Sequence, residues 1–177
     1  MKNPVTRFVF LLACLTLSAC QSAYYSAMEQ VGIHKRDILV DRVEEGRDAQ
    51  VEAKETFKSA LDRYQTVLNM ERTDLQDKYE AISDEYDAAS EAAARVTERI
   101  DAIEDVAEAL FDEWLEELEQ YSSRDLRARS QRKLSDTKSK YDQLMRSMRR
   151  AESKMQPVLS ALKDQVLFLK HNLNAQA

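Results

Sequence analysis

The chain has 177 residues, of which 33% are charged, and it carries a formal net charge of −6 with only two glycines and two prolines. So few turn-forming residues argue against folds built from short strands and tight turns, and the composition predicts a single all-α domain. The two cysteines, Cys14 and Cys20, both lie near the N-terminus. Neither a disulfide framework nor a cysteine-based metal site is therefore expected in the rest of the chain.

The first twenty residues have the pattern of a signal for lipid attachment. Lys2 and Arg7 precede an apolar run, residues 8–17, that is too short to cross a hydrocarbon core about 30 Å thick. Leu17-Ser18-Ala19-Cys20 is a small-residue cleavage site that ends in cysteine. The segment resembles the signals of bacterial lipoproteins. This resemblance implies removal of residues 1–19 and attachment of a diacylglycerol and an N-acyl chain, such as palmitate, to Cys20; no other cofactor is predicted.

The residues after Cys20 predict a location and a tether. Gln21, rather than an aspartate, follows the cysteine, and this resembles the default signal for transfer to the outer membrane of Gram-negative bacteria. The predicted location is the periplasmic face of that membrane. Residues 20–36 are predicted to form a lipid-anchored tether with a short helix, and residues 37–177 the helical domain. Either Tyr24 and Tyr25 lie at the level of the lipid headgroups, or this segment is a plain tether or a helix that packs on the bundle.

Apolar residues recur every seven positions from Leu61 to Leu110, and a second row joins them from Tyr79. Such paired rows are typical of coiled coils. We predict an elongated antiparallel coiled-coil bundle of three helices, at about 37–69, 73–121 and 124–173. A capping box at Thr73 marks the first break; the alternative is one helix over 37–121 with a stutter near residue 70. Pro157 is expected to kink the last helix.

Charge and register both predict a hairpin between the last two helices. Residues 71–120 hold 18 acidic and 4 basic residues, whereas residues 121–177 hold 5 acidic and 13 basic. A chain reversal at residue 122 places Ile82 opposite Leu162 and Ile103 opposite Tyr141. The first helix could then fold back with Leu61 opposite Ile82.

The sequence contains no pattern of a reactive site. His34 and His171 lack the neighbouring ligands of a zinc site, and no phosphate loop or catalytic triad is found, so we expect no enzymatic activity. The basic stretch 124–154 is interpreted as a partner for the acidic helix and not for nucleic acid, with some arginines, notably Arg146, Arg149 and Arg150, left free.

A second apolar stripe on the middle helix is the one candidate surface. Phe111, Leu115 and Leu118 could line a groove, pack against the first helix, or form a dimer face.

Three stretches resemble an uncharacterised family of proteobacterial helical coiled-coil lipoproteins, classed only as a domain of unknown function: residues 23–50, 107–114 and 154–177. The resemblance implies a helical fold and an envelope location, and it brings no catalytic residues. The predicted function is that of an outer-membrane-anchored periplasmic coiled-coil lipoprotein, acting as a structural or protein-interaction module with an envelope protein or a second copy. The alternative is a helical bundle that binds a lipid or another small hydrophobic ligand.

Overall fold

The computed structural model describes residues 24–68 and 75–176. These residues form a short helix and four longer ones: α1 (24–30), α2 (Lys35–Leu68), α3 (Leu75–Leu118), α4 (Arg124–Ser153) and α5 (Met155–Gln176). Within the described ranges there is no strand, which confirms the all-α prediction. The predicted lipid signal and Thr73 lie outside these ranges.

The prediction of one helix over 124–173 is wrong, because the chain forms two helices there. Pro157 has no N–H, so the carbonyl of Ser153 cannot receive the usual helical hydrogen bond from it. Lys154 alone separates α4 from α5, and its N–H donates to the carbonyl of Ala151 at 3.2 Å. Pro157 itself lies in the first turn of α5, where a helix needs no backbone donor. Both helices pack on α3.

α2 folds back along α3 and runs antiparallel to it. Lys35, at the start of α2, pairs with Glu113 near the end of α3 at 3.0 Å. Val67, near the end of α2, is buried with Ile82 near the start of α3. A continuous helix over 37–121 is therefore excluded.

The core is built from layers, and each layer takes one residue from α2, one from α3 and one from α4 or α5. On α2 these residues are small and recur every seven positions. Four layers are Val67–Ile82–Leu169, Ala60–Ala89–Leu162, Ala53–Val96–Met155 and Gly46–Ile103–Met148. A Cβ on Gly46 would lie 2.8 Å from Ile103 Cδ1 and 2.9 Å from Met148 Cε, so α2 packs closely on side chains of α3 and α4 at this glycine.

Between α3 and α5 the observed pairing differs from the predicted one by one heptad, whereas between α2 and α3 it differs by six residues. Ile82 is buried with Leu169 and not with Leu162, which lies seven residues earlier. On α2, Val67 takes the place predicted for Leu61, whose side chain is 45% exposed. The heptad pattern specifies which face is buried, but it is nearly unchanged when one helix slides by seven residues.

α1 packs on the bundle, which was one of the alternatives. Tyr25 is only 6% exposed and lies with Ile38, Val106 and Met28. Gly32, at φ +85°, ends the helical segment in a conformation that glycine adopts without strain. Tyr24 stays exposed and stacks edge-on against Tyr25 with ring centroids 5.3 Å apart.

Arg149 joins the acidic α3 to α4. Its guanidinium lies 2.7 Å from a carboxylate oxygen of Asp101, 2.5 Å from Glu104 and 3.1 Å from Glu152. Hydrogen bonds to Glu104 raise the pKa of Arg149, against the opposing effect of its partial burial. The expectation that Arg149 is free is thus wrong. Its ion pairs with Asp101 and Glu104 support the interpretation of the basic stretch as a partner for the acidic α3.

Candidate functional site

A groove between α2 and the junction of α4 with α5 is the candidate site. Its volume is about 440 Å³, within the range of roughly 300–1,000 Å³ typical of small-molecule sites. Apolar side chains and three lysines make up most of its lining: Gln50, Lys54, Phe57, Lys58, Leu61, Ala151, Lys154, Met155 and Val158.

α2 contributes two parallel strips to the groove. Phe57 and Leu61 are four residues apart, as are Lys54 and Lys58, and side chains at that spacing are neighbours on a helix surface. At 100° per residue, all four lie to one side of Ala53, which belongs to the core row. α2 therefore places an apolar strip directly beside a strip of ammonium groups.

The opposite wall follows from the interruption at Lys154. The helix break places Lys154 between α4 and α5, and Met155 and Val158 lie in the first turns of α5. Gln50 Nε2 donates to the carbonyl of Met148 at 3.1 Å, which ties α2 to α4 next to the groove. Phe57 is buried and Leu61 half-exposed, so the apolar floor is open to solvent on one side.

The groove lysines lack counter-charges within the described part of the chain. Lys54, Lys58 and Lys154 form no ion pair there, whereas Lys35 forms two, with Glu29 and Glu113. Burial lowers the pKa of Lys35, but the hydrogen bonds to these two carboxylates outweigh it, and the net pKa is raised. Three unpaired ammonium groups beside an apolar floor are complementary to an anion that carries a hydrophobic chain.

The candidate residues from the sequence lie elsewhere. Phe111 and Leu118 are buried in one cluster with Leu134 of α4, against which the partly buried Leu39 of α2 also packs, so they form part of the core where α3 meets both helices. The ring of Phe111 meets Tyr141 edge-on at 5.4 Å, with Lys138 Nζ 5.2 Å from its centroid. Leu115 is exposed on the same helix. Cys20 lies outside the described residues.

The groove has a sequence signal, although a weak one. Lys54 lies seven residues before Leu61, where the apolar row would continue along α2, and a lysine at such a position marks either an exposed flank or a charged site. Whether Lys54 belongs to an exposed flank or to a charged site depends on the segment that faces α2 at this point. The helix register and the break at Lys154 determine that this segment is the α4–α5 junction.

A second groove, of about 370 Å³, lies between α3 and α5 and has a more polar lining that includes Tyr86, Ser90, Thr97 and Lys163. Among the described residues, no group of three or more His, Cys, Asp or Glu side chains could hold a metal ion. None of the helices described in the structure has the length and apolar character required to span a membrane.

The comparisons with known proteins identify a family and no more. The family model described as "Protein of unknown function (DUF2959)" matches residues 24–177. No curated protein and no solved structure matches the chain. The matched range begins at α1, which agrees with the packing of this helix on the bundle.

Proposed function

This chain belongs to the family of proteins of unknown function DUF2959, and from that starting point we propose that it is a lipid-anchored protein of the bacterial outer membrane whose periplasmic bundle acts as a structural or interaction module. The observation that carries the proposal is the lipobox Leu17–Cys20, which ends only four residues before Tyr24 in α1. Tyr25 and Met28 of α1 pack with Ile38 and Val106, so α1 is held against the bundle.

The proposed architecture is an antiparallel coiled coil. Its support is the row of small residues on α2, which recurs every seven positions opposite matching rows on α3 and on α4 with α5. α3 alone has 44 residues, a length of about 66 Å at 1.5 Å per residue. A rod of this kind suits spacing or bridging within an envelope.

Lipidation of Cys20 is the direct test. Cells that express the chain would be grown with an alkyne-bearing palmitate, and the protein would be examined for label and for membrane association. We expect a labelled, membrane-bound protein that loses the label in Cys20→Ala and keeps it in the matched control Cys14→Ala. Equal behaviour of the two variants, or an unlabelled soluble protein, would contradict the anchor.

A second candidate function is the binding of a small hydrophobic ligand. The specific observation that favours it is the groove at Phe57 and Leu61 with its three unpaired lysines. The two functions are compatible, because an anchored bundle could hold a ligand close to the membrane surface.

A further inference from the structure

We propose that the groove between α2 and the α4–α5 junction binds a long-chain fatty acid, with its alkyl chain along Phe57 and Leu61 and its carboxylate at the lysines. The inference rests on the second candidate function above and gives the class of its ligand. It does not depend on whether Cys20 is lipidated.

The dimensions of the groove fit one acyl chain. Its lining follows α2 from Gln50 to Leu61, a distance of about 16 Å at 1.5 Å per residue. One leaflet of a hydrocarbon core that is about 30 Å thick has nearly this depth, so an extended acyl chain has the right length. Met155 and Val158 supply the apolar wall on the other side.

The charges select the headgroup. Lys54, Lys58 and Lys154 are exposed and unpaired within the described structure, and an ammonium group is a compact point charge that suits a small carboxylate. A neutral hydrophobic ligand would leave all three cations without a partner.

The size of the groove argues against a protein partner as its main occupant. A stable protein–protein interface has about 20–30 residues on each side, whereas nine residues line this groove. Its volume of about 440 Å³ is typical of a pocket for a small molecule.

The experiment uses the whole chain in nanodiscs and its unlipidated Cys20→Ala variant in buffer, each with a palmitic acid that carries a photoreactive diazirine. After irradiation, mass spectrometry of peptides locates the label, and unlabelled fatty acids of increasing length compete for the site. We expect label on the peptides that contain Phe57, Leu61, Met155 and Val158. Competition should strengthen from octanoate to palmitate, because a longer chain covers more of the apolar floor of the groove.

Two matched sets of variants test the chemistry. The triple substitution K54Q/K58Q/K154Q should weaken competition by palmitate about tenfold, as expected for three partly exposed charge interactions. K133Q/K140Q/K170Q changes the net charge equally at exposed lysines outside the groove and should have no effect. Leu61→Ser should reduce labelling, whereas Val51→Ser, at an exposed residue of α2 that does not line the groove, should not.

Several outcomes would overturn the proposal. Label spread over the whole surface, equal effects of the two lysine sets, or displacement by a lysophospholipid but not by palmitate would each exclude a fatty-acid site. A shift in sedimentation of Leu61→Ser from dimer to monomer, without specific labelling, would instead identify a second copy as the occupant. Failure of lipidation at Cys20 would leave all these readouts unchanged, so the two proposals fail separately.

Discussion

Gly46 lies where α2 packs closely on side chains of α3 and α4. Glycine inside a helix costs about 1 kcal/mol relative to alanine, yet a Cβ here would lie 2.8 Å from Ile103 Cδ1 and 2.9 Å from Met148 Cε. Both atoms are the ends of flexible side chains, so a methyl group can be accommodated at some cost, whereas a larger group cannot.

Helix propensity alone would make Gly46→Ala raise the free energy of unfolding by about 1 kcal/mol. We expect a smaller increase, because the added methyl group is crowded by Ile103 and Met148. Gly46→Leu should lower the free energy of unfolding by about 3 kcal/mol through overpacking. In a Met148→Ala background, Gly46→Ala should become more stabilising, because its Cβ then fills space that Met148 has left. Urea unfolding of the four chains measures this cycle, and strictly additive effects would show that Gly46 and Met148 do not share one layer.

At the scale of elements, Arg149 of α4 holds α3 through two carboxylates, Asp101 and Glu104, and also pairs with Glu152 of its own helix. Arg149→Gln should lower the free energy of unfolding by about 1–2 kcal/mol, since charge-assisted hydrogen bonds are stronger than neutral ones but this network is partly exposed. Arg146→Gln is the matched control, because the Arg146 side chain is exposed and forms no ion pair in the described structure. Its effect should stay within about 0.5 kcal/mol.

Raising the salt concentration from about 0.15 M to about 1 M should narrow the difference between Arg149→Gln and the unsubstituted chain, because ions screen exposed charges. Equal stabilities of Arg149→Gln and Arg146→Gln at low salt would show that the network contributes little.

At the same scale, some features of the helices could be predicted from the sequence and others could not. Heptad periodicity predicted α2 and α3 closely, whereas Pro157 predicted a kink in the last helix and not its division into α4 and α5. The sequence did not predict the core row of α2. Ala53 and Ala60 are less hydrophobic than Leu61, so the pattern favoured the row of Leu61, whose side chain is exposed in the structure. The groove was not predicted for the same reason. Its two walls, on α2 and at the α4–α5 junction, face each other only when the small residues of α2 form the core row.

At the scale of the whole molecule, the position of α1 constrains how an anchored bundle meets the membrane. Tyr25 lies level with Val106, twelve residues before the end of α3 at Leu118, or about 18 Å along the axis. From Tyr24 back to Cys20 the chain can span at most about 14 Å. A bundle that stood upright on the turn between α3 and α4 would place Cys20 beyond that reach.

If Cys20 is lipidated, we therefore expect the bundle to lie with its side towards the membrane and with α1 nearest the lipid. Exposed apolar side chains cluster near the anchor in sequence, among them Tyr24, Val31 and Ile33, and such residues can enter the interface. A fluorophore on V31C in nanodiscs should be quenched more by brominated lipid than one on S122C, at the turn between α3 and α4, or on K170C. Stronger quenching at residue 122 than at residue 31 would instead mean that α1 leaves the bundle and that the rod stands on its end.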